Sequence, residues 1–345
     1  MPSATDWVES LSPWPEKFGL ERMRELLADL GDPQRAYPSI HVVGSVGKGT
    51  AVRTIEEFLR REGLRVGAYL SPHVSGWSER IRVDGSEADF EPVIERVRPH
   101  AEGATQFEVL TAAALAEFAA SRVDVAVVEA GLGGRFDATN VVDAPVVLLT
   151  SVSLEHTDVL GETREQIAKE KLAVAHSARI VVLPDNNFTH LVPARARIVV
   201  GGAREATEAF LERPVDGDVQ VALPGRFERR GEDVWDGAHT PDAVDWLLDR
   251  LPRRDYVLCV SVLRDKDVDG ILRRLSEAGR SLIATRSSNP RSLPADELAH
   301  RAAPHFERVE SVDDPRAALV RAHQLGNAVL VTGSLYLLAD LYARE

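Results

Sequence analysis

Short apolar runs recur along this chain with helix-patterned stretches between them, and few folds accommodate that alternation. The strictest case is VDVAVVE at 123–129. Such an unbroken run is what a strand shows when both of its faces are covered. Similar runs stand at 39–43, 66–70, 146–150 and 178–183, with helical spacing at 20–31, 50–62, 108–120 and 164–173. A polar loop, SPHVSGWSERIRVDG, follows the run at 66–70. Alternation of this kind calls for a doubly wound, mostly parallel sheet. From about Arg226 the pattern restarts. Strands are expected at 234–236, 256–262, 281–285, 308–311 and 328–332, and helices at 241–251, 268–277, 294–302 and 315–325. The expectation is an α/β chain of 345 residues in two domains, 1–225 and a smaller Rossmann-like domain at 226–345. Residues 185–221 are weakly patterned and are read as room for the link.

Composition removes several classes of function. No apolar run reaches the length of a membrane span, and the N-terminus lacks a basic-then-apolar signal pattern. The single cysteine, Cys259, leaves no disulfide framework and no cysteine-cluster metal site. A formal charge of −13 argues against a protein that tracks a nucleic-acid backbone. No membrane or nucleic-acid partner is expected, and the cytoplasm is the expected location. Lysine is scarce: Lys17, Lys48, Lys169, Lys171 and Lys266 are the only five, and every other basic residue except histidine is arginine. Each lysine therefore raises the question of what arginine could not do there.

The segment GSVGKGT at 44–50 lies between an expected strand and an expected helix. Backbone N–H groups and a helix N-terminus would face an anion there. Gly44, Ser45, Gly47 and Gly49 would shape the loop, Lys48 would reach the outer phosphates of a nucleotide, and Thr50 would place its hydroxyl on Mg²⁺. The spacing is not the common GxxxxGK[ST], because Gly49 separates Lys48 from Thr50. The plainer reading is a glycine turn carrying a surface lysine. Glu129 ends the apolar run and precedes AGLGGR. Strand ends of this kind hold ligands, and a carboxylate beside phosphates suits Mg²⁺; a solvated strand end is the alternative. His156 follows the run at 146–150 in the same manner, and Lys171 stands in AKEKLA. Taken alone, each of those two reads as an ordinary exposed residue. GLGGRFD breaks the GxGxxG pattern of a dinucleotide loop, which counts against a dehydrogenase.

Taken in order, these stretches resemble the folylpolyglutamate synthase / dihydrofolate synthase branch of the Mur-ligase superfamily. The likeness runs through LGDPQRAYPSIHVVGSVGKGT, YLSPHVSGWSERIRVDG, TQFEVLTAAAL, VDVAVVEAGLGGRFDATNVV and TSVSLEHTDVLGETREQIAKEKLAV. It continues with LPGRFE, WDGAHTPDAV, LRDKDVDGIL, NPRSLPADEL and VTGSLYLLADL. Each motif is weak alone, but their order is specific.

The resemblance implies a P-loop-containing central domain, a smaller C-terminal domain and an ADP-forming ligase. Its substrates would be ATP, L-glutamate and a folate or dihydropteroate, joined through an acyl phosphate. Two Mg²⁺ sites follow, one on Thr50 and Glu129, the other on Ser71, Glu129 and His156. Lys171 matches a lysine that becomes carbamylated and joins the metal residues, and Lys48, Lys171, His156, Glu129 and His239 are the implied catalytic set. Arg226 would meet phosphates, Asp236, His239 and Ser334 would face ATP or the incoming glutamate, and Arg80 and Arg82 would order the folate. A monomer is expected. Val46, Glu155 and Thr240 depart from the family's Asn, Asp and Asn, and EKLAV departs from EKAGI. The segment 185–221 is shorter than usual and lacks an adenine-contacting Asn. A ligase with a changed carboxylate or amino-acid substrate, and a non-catalytic nucleotide-binding paralogue, are the alternatives.

Overall fold

The computed structural model describes residues 2–343. They group into two compact units: the residues up to His73 with Trp77–Val221, and Val74–Gly76 with the residues from Ala222 onward.

The first unit is built on eight strands: β1 Ser39–Val43, β2 Val66–Tyr69, β3 Ile81–Val83, β4 Ser86–Glu87, β5 Val125–Glu129, β6 Val146–Leu149, β7 Ile180–Leu183 and β8 Arg197–Val200. Their order is β4-β3-β2-β5-β1-β6-β7-β8. From β2 to β8 every neighbouring pair is parallel, and the short β3–β4 hairpin adds antiparallel to β2. All five residues of β5 are buried, as are all five of β1. That explains the unbroken apolar run: helices cover both faces, so no position has a wet side to alternate with. Helix Gln106–Ala120 starts at a capping box, with Thr105 and Glu108 each satisfying the other's backbone N–H, and buries Val109, Leu110, Leu115 and Phe118. A Cβ on Gly67 would lie 2.6 Å from the Phe118 ring, so this helix packs directly on the β2 backbone.

The second unit holds β9 Glu228–Arg230, β10 Asp233–Trp235, β11 Val257–Val260, β12 Ser281–Ala284, β13 Arg308–Ser311 and β14 Val329–Thr332. Their order is β13-β12-β11-β14-β10-β9, parallel except for β9. This is the mixed α/β architecture with two mostly parallel sheets that the alternation predicts.

The reading of 185–221 as a link needs correction. This stretch stays with the first unit and supplies edge strand β8 and helix Ala203–Leu211. Strand β8 has no buried residue, and Ile198 and Val200 are exposed, so it carries neither the continuous nor the alternating signal of a covered strand. Helix Phe90–Val97 also goes unread in the sequence, although Phe90, Val93, Ile94 and Val97 are its buried face. Pro92 masks it: proline inside an apolar pattern signals a break, yet it is tolerated in a first turn.

Candidate active site

The connections out of β1 and β6 diverge. From β1 the chain moves toward β2, and from β6 it moves to the other side, toward β7. In open α/β sheets this divergence opens a crevice at the carboxyl ends of the strands. The glycine loop follows β1 at that place. Gly44 has φ of +148° and Gly47 +87°, and Gly47 caps helix Lys48–Arg61.

The loop is held from its β6 side. Ser45 N–H donates to the Ser151 carbonyl at 3.0 Å, and Val46 N–H donates to Ser151 Oγ at 2.8 Å. Thr150 Oγ1 donates to the Val46 carbonyl at 2.8 Å, and Ser153 N–H donates to Ser45 Oγ at 3.0 Å. These contacts fix the loop's own turn. Neither Thr150 nor Ser151 stands out in the sequence; they matter because β1 and β6 are neighbours in the sheet.

Lys48 opens the helix, and its Nζ lies 3.9 Å from Glu129 Oε1 at the end of β5. The other Glu129 oxygen accepts the backbone N–H of Ser71 at 3.1 Å. Three sequence-predicted residues from three strand ends thus meet. Thr50, two residues after Lys48, is solvent-exposed. Lys171 ends helix Arg164–Lys171 and is buried; its Nζ donates to the Gly44 carbonyl and to Glu155 Oε1, both at 2.9 Å. His156 follows Glu155 with φ of +47° and opens the short helix Thr157–Leu160. Glu155 is noted in the sequence only as a departure, yet it is the acid that reaches Lys171.

The charges shape one another. Burial alone would raise the Glu155 carboxyl, but the ammonium groups of Lys171 and Lys48 overcome it and hold it down at about 2. Burial lowers Lys171, and Lys48 adds to this, while Glu155 opposes both. A depressed acid contributes stability that is complete above its ordinary value of 4.5 and is lost as pH falls toward about 2. Glu155→Gln is therefore expected to flatten the acid limb of the unfolding curve between pH 4.5 and 2, measured by circular dichroism against the parent chain.

The loop after β5 is knotted by Asp137, which accepts the N–H groups of Leu132 at 2.8 Å and Thr139 at 3.0 Å. It then crosses the end of the Lys171 helix. A Cβ on Gly134 would stand 2.5 Å from the Lys171 carbonyl oxygen, so only glycine permits this approach.

Arg80 is buried and donates from Nε to His73 Nδ1 at 2.8 Å. Burial and the Arg80 charge push His73 down to about 3, which keeps the imidazole neutral and able to accept. Arg82 is engaged elsewhere: it pairs with Glu56 on helix Lys48–Arg61 and bonds the Gly85 carbonyl in the β3–β4 turn.

In the second unit, Asp236 accepts the N–H groups of Phe227 at 2.7 Å and Ala238 at 2.8 Å, while burial holds its carboxyl above the ordinary range. His239 Nδ1 is 2.7 Å from the Gly237 carbonyl, and Arg226 Nη1 donates to the Gly225 carbonyl at 3.3 Å. Ser334 is buried and caps helix Leu335–Tyr342. Thr240 caps helix Pro241–Arg250, its Oγ1 accepting the Ala243 N–H at 3.3 Å. Thr and Asn share that capping ability, so the helix start is capped despite the departure at this position. Thr240→Ala is expected to cost about 1 kcal/mol, read from chemical denaturation of the full chain.

Among the described residues no group of three His, Cys, Asp or Glu side chains could hold a metal. A divalent cation here would need one carboxylate supplemented by hydroxyl and phosphate oxygens, the way Mg²⁺ is bound.

Residues 42–212 match the Mur ligase middle domain, and residues 225–335 match the Mur ligase glutamate ligase domain. A Mur-type ligase is the class that this fold and site define. The chain is 32% identical to the dihydrofolate synthase/folylpolyglutamate synthase of Mycobacterium tuberculosis, covering 89% of this chain and 83% of that relative. That alignment spans 406 positions against 345 residues here, so the relative carries residues this chain lacks. The crystal structure of Mycobacterium tuberculosis folylpolyglutamate synthase complexed with ADP is similar with a TM-score of 0.90 and 29% identity, covering 99% of this chain and 98% of that one. The bifunctional folylpolyglutamate synthase/dihydrofolate synthase of Yersinia pestis, complexed with AMPPNP and a Mn ion, is similar with a TM-score of 0.86 and 29% identity, covering 99% of each chain. The chain belongs to the dihydrofolate synthase/folylpolyglutamate synthase family of Mur ligases.

Proposed function

We propose that this chain is an ATP-dependent ligase that joins L-glutamate to the carboxylate of a dihydropteroate or folate. The observation that carries the reading is Lys48, set 3.9 Å from Glu129 at the mouth of the glycine loop. The first unit is read as the ATP-binding domain and the second as the glutamate-ligase domain.

In the first step the acceptor carboxylate oxygen attacks the γ-phosphorus of ATP. The bond to the bridging oxygen breaks, giving an acyl phosphate and ADP. In the second, the glutamate amine attacks the acyl carbon; phosphate leaves with the carbonyl–oxygen bond pair and the amine loses a proton. Both steps ask chiefly for placement and for positive charge on the phosphates. Lys48 supplies a fixed ammonium, and the N–H groups at the start of helix Lys48–Arg61 add the positive end of its dipole. On the family resemblance, Glu129 and Thr50 would hold a first Mg²⁺, and Ser71 and His156 with Glu129 a second; the carboxylate and hydroxyl oxygens among them suit that ion. When bound, the ion neutralises charge on the phosphate oxygens. On the family resemblance, Arg226, Asp236, His239 and Ser334 serve the nucleotide and the glutamate, and Arg80 and Arg82 serve the folate.

On the family resemblance, Lys171 would carry a carbamate, whose oxygens suit a divalent cation; the unmodified amine donates to the Gly44 carbonyl and to Glu155 Oε1, both at 2.9 Å.

The test is ADP release by the purified chain with Mg-ATP and glutamate, with dihydropteroate and tetrahydrofolate supplied separately. Acceptor-dependent release with a product one glutamyl unit heavier is the expected result. ADP release with neither acceptor, or none at all, would overturn the reading.

A further inference from the structure

We infer that Arg82 is a positioning residue: through Glu56 it fixes the β3–β4 hairpin, and with it Arg80, to helix Lys48–Arg61, and it does not itself touch the acceptor. The inference rests on the reading of Arg80 as an acceptor-side group. Strand β3 runs antiparallel to β2, with Tyr69 opposite Ile81 and Ala68 opposite Arg82. Arg80 stands one step beyond, at the carboxyl end of β2. Its carbonyl accepts the Leu70 N–H at 2.9 Å, beside Ser71, whose own N–H reaches Glu129. Arg82 is thus set back from the strand ends where the site is proposed. Side chains alternate along a strand. Ile81 joins Tyr69 and Phe118 in the core, on the side of helix Gln106–Ala120, so Arg82 faces the opposite way, onto helix Lys48–Arg61.

There its charge is met. Arg82 Nε lies 3.4 Å from Glu56 Oε2, and the two side chains are 12% and 1% exposed. Arg53 shares the same Glu56 oxygen, and Arg82 also donates to the Gly85 carbonyl in the hairpin turn. Asp84 and Gly85 make that turn with φ of +50° and +84°, the two-residue form that an Asp-Gly pair favours. Arg60, one turn beyond Glu56 on the same helix, holds the turn from outside. Its Nε is 3.3 Å from Asp84 Oδ1, and a Cβ on Gly85 would stand 2.4 Å from its guanidinium carbon. Two arginines, one from each element, thus clamp the hairpin to the helix. Stability alone does not ask for a buried ion pair, because apolar residues of similar volume do as well or better. Glu56 Oε1 is also buried without a hydrogen-bond partner among the described residues, a penalty that an apolar contact would avoid. What the pair adds is one fixed geometry for the strand that Arg80 leads into.

The test uses the full chain with Glu56→Leu and Arg82→Met, singly and together, and three readouts. Chemical denaturation is expected to show the double variant at least as stable as the parent. Amide exchange at 77–88, followed by mass spectrometry, is expected to run about tenfold faster in it at that stability. In steady-state kinetics, with whichever of dihydropteroate and tetrahydrofolate is turned over, each single variant and the double are expected to raise the acceptor KM equally, by about tenfold, while the KM for ATP stays within about threefold. Additive losses, or a loss in Arg82→Met that Glu56→Leu does not share, would overturn the inference and make Arg82 an acceptor contact. Exchange at the parental rate, or faster only as far as stability falls, would overturn it as well. Glu56→Gln, which keeps the shape and removes the charge, gives the same exchange readout if the double variant does not fold, and parental protection in it counts equally against the clamp. Exchange needs neither acceptor nor turnover, so a failed ligase assay and a failed clamp are told apart.

Discussion

Lys48→Ala is expected to lower acceptor-dependent ADP release by about 10²–10³-fold, the loss that follows removal of one preorganised charge from a developing anion. The cause is local. Lys48 stands at the first position of a helix whose start is proposed to face the phosphates, so its ammonium would add to the field of the helix N-terminus. Folding should change little. The ion pair with Glu129 is long at 3.9 Å, and its loss leaves a carboxylate that still accepts the Ser71 N–H at 3.1 Å. Steady-state kinetics beside thermal melting separates the two effects. A variant with parental turnover would remove Lys48 from the chemistry and return the loop to a plain glycine turn.

Gly44→Ala is expected to be the most disruptive small substitution in the loop, at about 2–5 kcal/mol of stability, with nucleotide binding lost. An added Cβ would lie 2.0 Å from Thr150 Oγ1 and 3.1 Å from the backbone nitrogens of Thr150 and Ser151. The hydroxyl cannot move aside freely, because it donates to the Val46 carbonyl at 2.8 Å. The φ of +148° adds strain for any residue with a Cβ. Gly47 is the internal comparison. It also has positive φ, at +87°, but nothing lies within 4 Å of its Cβ position. Gly47→Ala should cost only the backbone strain, about 1–2 kcal/mol. Chemical denaturation of both variants checks this, and equal losses would show that crowding by Thr150 does not matter.

The legibility of this molecule differs by element. Strands β1, β5, β6 and β7 are readable because each is covered on both faces, and burial writes itself into sequence as a continuous apolar run. Strand β8 has one sheet neighbour and exposed apolar residues, so it leaves no such record. The loop glycines, Lys48 and Glu129 are readable for a related reason: strand ends, helix starts and phosphate loops restrict residue type at each position.

What the sequence determined by itself is the alternating architecture, the place of the glycine loop at the end of β1, and the identity of Lys48 and Glu129, the charged groups proposed to meet a phosphate. These are properties of short segments, governed by burial period and by backbone conformations open to glycine alone. Which groups touch was decided by the tertiary structure. Strand order β5-β1-β6 brings Glu129 to one side of the loop and Ser151 to the other. The close pass of Gly134 over the end of the Lys171 helix sets that amine against Gly44 and Glu155. Contacts of this kind join residues up to 127 positions apart, and they depend on sheet order and on packing distances of a few ångströms, which residue patterns along one segment do not encode.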